Sequence, residues 1–263
     1  MKLKQNVGIK FGKFVTLTTD FPYLCSMNEK MQGITTVFID IDDTLWWFTE
    51  NSKVALRHVF DAYQLHLMCP YEHFRDVYLK RNHELWQQYH HGLINKQFLI
   101  DERFRYTLAQ CGYQGDANAL CSALNEEYLR FLALQPLTLP HARSLLEYLV
   151  QKGYDVNTLS NGFAGTQQQK LRSAGILHFI HRNILSDDCG FNKPHPAIFT
   201  YALEQCHATA GTSVMIGDNP DADIMGAHQA GWRTIYFNLR GEAPQQGTAD
   251  AEVNSLEQII HIL

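Results

Sequence analysis

The stretch "TTVFIDIDDTLWWF", Thr35 to Phe48, decides how the rest of this chain is read. A β-branched, apolar run ends in three aspartates within four positions: Asp40, Asp42 and Asp43. Carboxylates that close repel one another, so an ordinary loop has little reason to hold them together. A cation is expected among them. Residues i and i+2 of an extended chain project to one side, so Asp40 and Asp42 share a neighbourhood while Ile41 enters the core and Asp43 points away.

Size and composition set the frame. The 263 residues are 45% hydrophobic and 12% aromatic, enough for a sizeable core in one large or two small domains. A net charge of −5 provides no basic field for a nucleic acid polymer or an anionic membrane surface. No apolar run reaches the ~18 residues of a membrane span, and the N-terminal apolar stretch is broken by Thr, Asp and Pro, a poor signal peptide. Six cysteines (Cys25, Cys69, Cys111, Cys121, Cys189, Cys206) stand far apart without a C-x-x-C, which reads as reduced thiols in a cytoplasmic protein.

Four more β-branched runs follow the first: 154–160, 181–186, 213–218 and 233–238. Helix-length segments with helical apolar spacing separate them, for instance "TQQQKLRSAG" and "AIFTYALEQCH". This alternation predicts an α/β fold, a Rossmann-like parallel sheet with helices on both faces. A short extended piece at 251–253 and a helix close the chain. The interval between the first two strands differs in character. From Asn51 to about Thr138 it has long helical periodicity and no convincing strand. The expected organisation is an N-terminal extension over 1–33, weakly ordered or preceded by a misassigned start, a core over 34–50 and 138–263, and an inserted helical cap over 51–137. Hinges are expected near 49–52 and 134–140.

Open parallel sheets bind ligands at the carboxyl ends of their strands. The distinctive residues lie at those ends: Asp40 and Asp42 after the first strand, Ser160 and Asn161 after the second, Lys193 after the third, Asp218 after the fourth and Asp223 opening the next helix. Three carboxylates about one point favour a hard cation, with Mg²⁺ as the choice for an oxygen-only set. Ser160, the backbone N–H of Asn161, close approach at Gly162, and Lys193 make a cradle for a phosphoryl group.

Taken in order, these motifs resemble the haloacid dehalogenase-like (HAD) hydrolase superfamily. Asp40, Asp42 and Thr44 match its D-x-D-x-T, Ser160 its strand-two hydroxyl, Lys193 its lysine, and Gly217, Asp218 and Asp223 its G-D-x-x-x-x-D. The helical insert then corresponds to a type I cap. The resemblance implies that Asp40 is a nucleophile forming an aspartyl-phosphate. It makes Asp42 the general acid and then the general base. Mg²⁺ would be held by Asp40, the Asp42 main-chain carbonyl and Asp218, with Asp223 helping, and Thr44 would fix the turn. Haloacid dehalogenases lack an acid at the position of Asp42, so phosphoryl transfer is the implied reaction.

A finer resemblance is to the bacterial house-cleaning pyrimidine-nucleotide 5′-nucleotidases, carried by "DIDDTLW", "SNGFAGTQQQKLRSAGI", "KPHPAIFTYALEQ" and "LWQQYHHGLINKQFLIDERF". It implies hydrolysis of UMP, dUMP, dTMP and unusual analogues; the sequence does not choose between monomer and homodimer. Phe191, Asn192 and His195 depart from that pattern around the lysine. For the leaving group, Trp47, Phe48, Trp86 and Tyr89 are the stacking candidates, with Trp46 beside them. Arg103, Arg105, His90 and His91 are further candidates, although solvated helix-face arginines are the commoner case. Two other readings use the same motifs: a phosphatase or mutase acting on a sugar phosphate or another small metabolite, and a non-catalytic binding protein that keeps the fold.

Overall fold

The structure is a computed structural model and describes residues 30–241 and 249–263. Its frame is one six-stranded, all-parallel sheet: β1 (Thr36–Ile39), β2 (Asp155–Ser160), β3 (Arg182–Leu185), β4 (Ser213–Gly217), β5 (Arg233–Phe237) and β6 (Ala251–Val253). The spatial order is β3-β2-β1-β4-β5-β6, so the order reverses between β1 and β4. That reversal opens the crevice in which doubly wound sheets place their ligands.

The central strands β1 and β4 read as nearly continuous apolar runs because both faces are covered. Val37 and Ile39 of β1, with Val214 and Ile216 of β4, enter the core on one face. Phe38, Leu159 and Met215 enter the core on the other, against Ile198, Phe199 and Trp232. This is the two-residue alternation of a pleated strand. The extended piece at 251–253 is the sixth strand of the sheet.

Between β1 and β2 the chain forms α1 (Phe48–Ala62), α2 (Tyr71–His90), α3 (Lys96–Gln110), α4 (Ala117–Ala133) and α5 (Ala142–Gln151). The chain leaves and returns side by side: Trp46 bridges Thr138 in antiparallel sense, Trp47 donates to the Leu137 carbonyl (3.1 Å), and Leu139 donates to the Leu45 carbonyl (3.0 Å). Leu56, Phe74, Tyr78, Phe104 and Tyr128 of the insert are continuous with the apolar core beneath the sheet. After β2 come α6 (Ala164–Ser173), α7 (Ser186–Cys189), α8 (Pro196–Cys206), a π-helical turn (Pro220–Met225), α9 (Gly226–Gln229) and α10 (Ile259–Ile262).

The expected extension over 1–33, with Cys25, lies outside the described residues up to position 29. Lys30 and Met31 are tied in: Met31 donates to the Ile262 carbonyl (2.8 Å), and Lys30 reaches Tyr148 Oη and the Leu263 carbonyl (3.2 Å each). Two of the thiols that stand 42 positions apart in sequence face each other in the insert, with Cys69 and Cys111 Sγ 2.6 Å apart. Among the described residues no helix is long and apolar enough to cross a membrane.

Candidate active site

The site grows from the turn after β1. The Ile41 carbonyl accepts from the N–H groups of Leu45 (3.0 Å) and Trp46 (2.8 Å), which closes a tight turn. Inside it, Asp43 adopts φ +56°. Its carboxylate accepts from Thr49 N (2.8 Å) and Thr49 Oγ1 (2.7 Å), capping the first turn of α1. Asp43 was expected to point away from the site. Its side chain is instead part of the cavity wall, with Arg240 Nη2 at 3.6 Å.

Because β1 and β4 are neighbours with Ile39 opposite Ile216, Asp40 and Asp218 emerge side by side. Asp223 joins them from the π-helical turn, and the glycine that ends β4 is what admits it. A Cβ at Gly217 would stand 2.2 Å from Asp223 Oδ2, so no other residue leaves room for that carboxylate. Carboxylate oxygens of Asp40, Asp218 and Asp223 lie within 4.8 Å of one another.

Lys193 is the cation the structure supplies. Its buried ammonium contacts Asp40 Oδ1 (2.7 Å), Asp223 Oδ1 (2.6 Å) and the Leu159 carbonyl (2.6 Å). Its own backbone is clamped by Asn161, whose Nδ2 donates to the Lys193 carbonyl (2.9 Å) and whose Oδ1 accepts from Lys193 N (2.8 Å). Burial disfavours the charged lysine, but Asp223 and Asp40 outweigh it and hold its pKa above the ordinary value.

Three carboxylates against one ammonium leave negative charge in excess, and the titration of the acids registers it. Burial is the largest cause that pushes Asp40 up to about 7; Lys193 opposes it, and Asp223 and Asp42 reinforce it. Burial, then Asp40, Asp223 and Asp43, raise Asp218 well above the usual carboxylate range. A compact divalent cation matches both the excess charge and the oxygen-only donor set, so the residues fit Mg²⁺.

Asp42 sits on the other side of the cleft. Its Oδ1 contacts Lys170 Nζ (2.6 Å), and its Oδ2 accepts from Gln167 Nε2 (2.9 Å), which also donates to Ser160 Oγ (2.7 Å). Lys170 is buried and lies over the rings of Trp46 (4.6 Å) and Phe48 (5.5 Å). Neither Gln167 nor Lys170 was singled out from sequence. Their signal was their spacing: three apart on the first turns after Ser160, hence on one helix face. The role expected for Gly162 also changes. A Cβ there would stand 2.1 Å from Gln167 Nε2, so this glycine makes room for the glutamine that reaches Asp42.

The cleft continues into a cavity of about 430 Å³ between the sheet rim and the insert. Of the leaving-group candidates, Phe48 and Trp86 line it. Trp86 stacks on Phe163 (centroids 5.7 Å apart, planes at 29°), a second aromatic wall missed from sequence. Trp47 and Tyr89 do not line it. Trp47 precedes α1 and packs against the apolar core. The Tyr89 ring meets the edge of Trp86, while its carbonyl accepts from Asn192 Nδ2 (3.0 Å).

Thr44, which the D-x-D-x-T resemblance assigns to the turn, is fully buried and outside the cavity wall. Its Oγ1 accepts from Asp218 N (3.1 Å), tying the two loops together as the turn-fixing role requires. Arg103 and Arg105 separate: Arg103 is 2% exposed in the cavity wall, whereas Arg105 pairs with Glu102 at the surface. His90 lines the cavity, and burial, with Lys193 and two neighbouring histidines, lowers it to about 4; His91 is exposed. The residues that depart from the expected pattern have local jobs. Asn192 ties the lysine loop to the insert, and His195 Nδ1 accepts from Ala197 N (3.2 Å) at the start of α8.

The family model described as "haloacid dehalogenase-like hydrolase" matches residues 34–231. The chain belongs to that family. This hydrolase is 29% identical over 236 residues to the HAD-hydrolase YfnB of Bacillus subtilis, covering 89% of this chain and 97% of that one. It is 30% identical to the pyrimidine 5′-nucleotidase YjjG of Escherichia coli, over 86% of this chain and 96% of that one. The crystal structure of YfnB, described as bound to magnesium, superposes with a TM-score of 0.78 at 28% identity, over 87% of this chain and 98% of that one. The hydrolase is thus an enzyme on a HAD core, with helices α1–α4 inserted beside the rim.

Proposed function

We propose that this hydrolase is a Mg²⁺-dependent phosphomonoesterase acting through an aspartyl-phosphate on Asp40, with pyrimidine nucleoside 5′-monophosphates as substrates. The observation that carries the reading is the pairing at one rim of two unlike acid sites. One is the Asp40–Asp218–Asp223 group, with Asp40 and Asp223 buried against Lys193, and the other is Asp42, held apart by Lys170 and Gln167.

Asp40, the Asp42 main-chain carbonyl, Asp218 and Asp223 would hold the metal. When bound, Mg²⁺ supplies charge neutralisation to the phosphoryl oxygens. An Asp40 oxygen forms a bond to phosphorus as the bond from phosphorus to the ester oxygen breaks. Lys193 faces the oxygens that gather charge. Asp42, carrying a proton, gives it to the departing alkoxide, so the nucleoside leaves as an alcohol. Asp42 then takes a proton from water, whose oxygen attacks phosphorus, releasing phosphate and restoring Asp40.

The nucleotide assignment rests on the aromatic walls, Trp86, Phe163 and Phe48, beside the catalytic cleft, together with the relatives YjjG and PynA. A sugar phosphate is the second reading, favoured by a glyceraldehyde 3-phosphate phosphatase of Methanothermobacter thermautotrophicus at 29% identity. Initial rates for UMP, dTMP and several sugar phosphates at equal concentration with Mg²⁺ separate the two. UMP or dTMP is expected to lead; a lead for sugar phosphates would overturn the nucleotide assignment.

A further inference from the structure

Two buried polar atoms on residues of the cavity wall, one on Arg103 and one on Asn82, meet no hydrogen-bond partner among the described residues. Arg103 of α3 is 2% exposed and spends Nε on Asn125 Oδ1 (2.8 Å), but its Nη2 has no hydrogen-bond partner. Among the described residues no carboxylate pairs with its guanidinium, which stands 5.3 Å from the Tyr128 ring centre. Asn82 of α2 is 5% exposed, and its Oδ1 has no partner either. Both line the same cavity as Asp40, from the insert side. A buried donor or acceptor left unmade is costly, more so when it is charged, so a ligand that completes both is favoured.

The two vacancies differ in kind, and together they specify a chemistry. Arg103 offers only donors and calls for an oxygen acceptor. Asn82 Oδ1 is an acceptor and calls for an N–H. A carboxylate or a second phosphate would suit Arg103 but would leave the Asn82 oxygen unpaired against negative charge. A sugar hydroxyl would serve Asn82 but would give the guanidinium only a weak acceptor. A carbonyl beside a ring N–H meets both, in a flat group that the aromatic walls can sandwich.

We propose that Arg103 and Asn82 are the leaving-group reader of this enzyme and that they take the imide edge of uracil or thymine, carbonyl on Arg103 and N3–H on Asn82. This deepens the nucleotidase reading and rests on it. Cytosine carries no hydrogen on N3 and is turned over less efficiently.

The test compares kcat/KM for UMP, CMP, ribose 5-phosphate and 3-phosphoglycerate, with Mg²⁺, in the unaltered enzyme and in Arg103→Met, Arg103→Lys and Asn82→Leu. Ribose 5-phosphate keeps the reacting ester and lacks the base, so it reports folding and core chemistry. Arg103→Met and Asn82→Leu are expected to lose roughly 10- to 100-fold on UMP while changing ribose 5-phosphate less than about threefold. Arg103→Lys should recover part of the UMP rate. Equal losses on UMP and ribose 5-phosphate in both variants would overturn the proposal by making the pair structural. Preference for 3-phosphoglycerate, lost in Arg103→Met but not in Asn82→Leu, would overturn it in favour of a carboxylate. Failure of the nucleotidase reading shows in the unaltered enzyme, as ribose 5-phosphate matching UMP. Failure of the imide reading shows as CMP matching UMP in the unaltered enzyme, or as the equal losses in the variants.

Discussion

Replacing Lys193 with Met removes the one ammonium that, among the described residues, contacts Asp40 and Asp223, while keeping much of the side-chain volume. Lys193 is 2% exposed and Asp223 1%, so water cannot take over the missing charge. Breaking a buried ion pair by removing one partner costs about 3–5 kcal/mol, because the remaining charges stay buried and uncompensated. For a protein of this size, about 2–4 °C of Tm accompanies each kcal/mol, so a fall of roughly 6–20 °C is expected in EDTA at pH 7.5. Two relieving agents distinguish charge from packing. Mg²⁺ should raise the Tm of Lys193→Met more than that of the unaltered protein, since it restores charge balance among the same carboxylates. Acid should do so too, because Asp40 and Asp218 already protonate more readily than ordinary aspartates. Thermal unfolding at pH 5.5 and 7.5, with EDTA or Mg²⁺, measures all four conditions. An unchanged Tm, or a loss that neither Mg²⁺ nor acid relieves, would refute the electrostatic reasoning and leave Lys193 a packing residue.

Other expectations follow from the same geometry. Asp40 has its folded pKa raised to about 7 from 3.8, so its stabilising contribution is full below pH 4 and is lost as pH rises through 7; metal-free protein should melt higher at pH 5.5 than at 7.5, as calorimetry in EDTA would show. Magnesium competes with those protons, so its affinity should rise over the same interval, and an affinity that is flat in calorimetric titrations would count against the Asp40–Asp218–Asp223 site. Lys170→Met removes the ammonium at Asp42 but leaves Gln167 in place, and should lower kcat about 10- to 100-fold with KM nearly unchanged; a change confined to KM would place Lys170 with the substrate instead. Tyr89→Phe and Trp47→Phe lie outside the cavity wall and should alter KM for UMP by less than about twofold.

The parallel sheet and its rim were legible because they follow from local pattern, whereas the strand order came only with the structure. Apolar runs ending in Asp40 and Asp218, and a shorter β-branched run ending in Ser160, mark parallel strands and their carboxyl ends. What was not legible depends on rotation about a helix or on distant contacts. Arg103 and Arg105 are two positions apart, which on a helix is about 200°, so one enters the cavity and the other faces water. Trp86 and Tyr89 share a face, but the cavity edge falls between them, and only Trp86 meets Phe163. Lys170 stands on a polar helix, where nothing local marks a cation as buried. Its burial depends on Trp46 and Asp42, brought in from more than a hundred positions away. Gly162 drew attention for the phosphate, while the close approach it permits is that of Gln167.

The central claim is that Asp40 carries the phosphoryl group between the two halves of the reaction, and chemical trapping tests it most directly. The enzyme would be mixed with UMP and Mg²⁺, quenched in acid within one turnover and reduced with borohydride, which converts an aspartyl-phosphate to homoserine. Peptide mass spectrometry is predicted to find homoserine at position 40, dependent on both substrate and Mg²⁺. Turnover with position 40 unmodified, or with the modification at another carboxylate, would contradict the account.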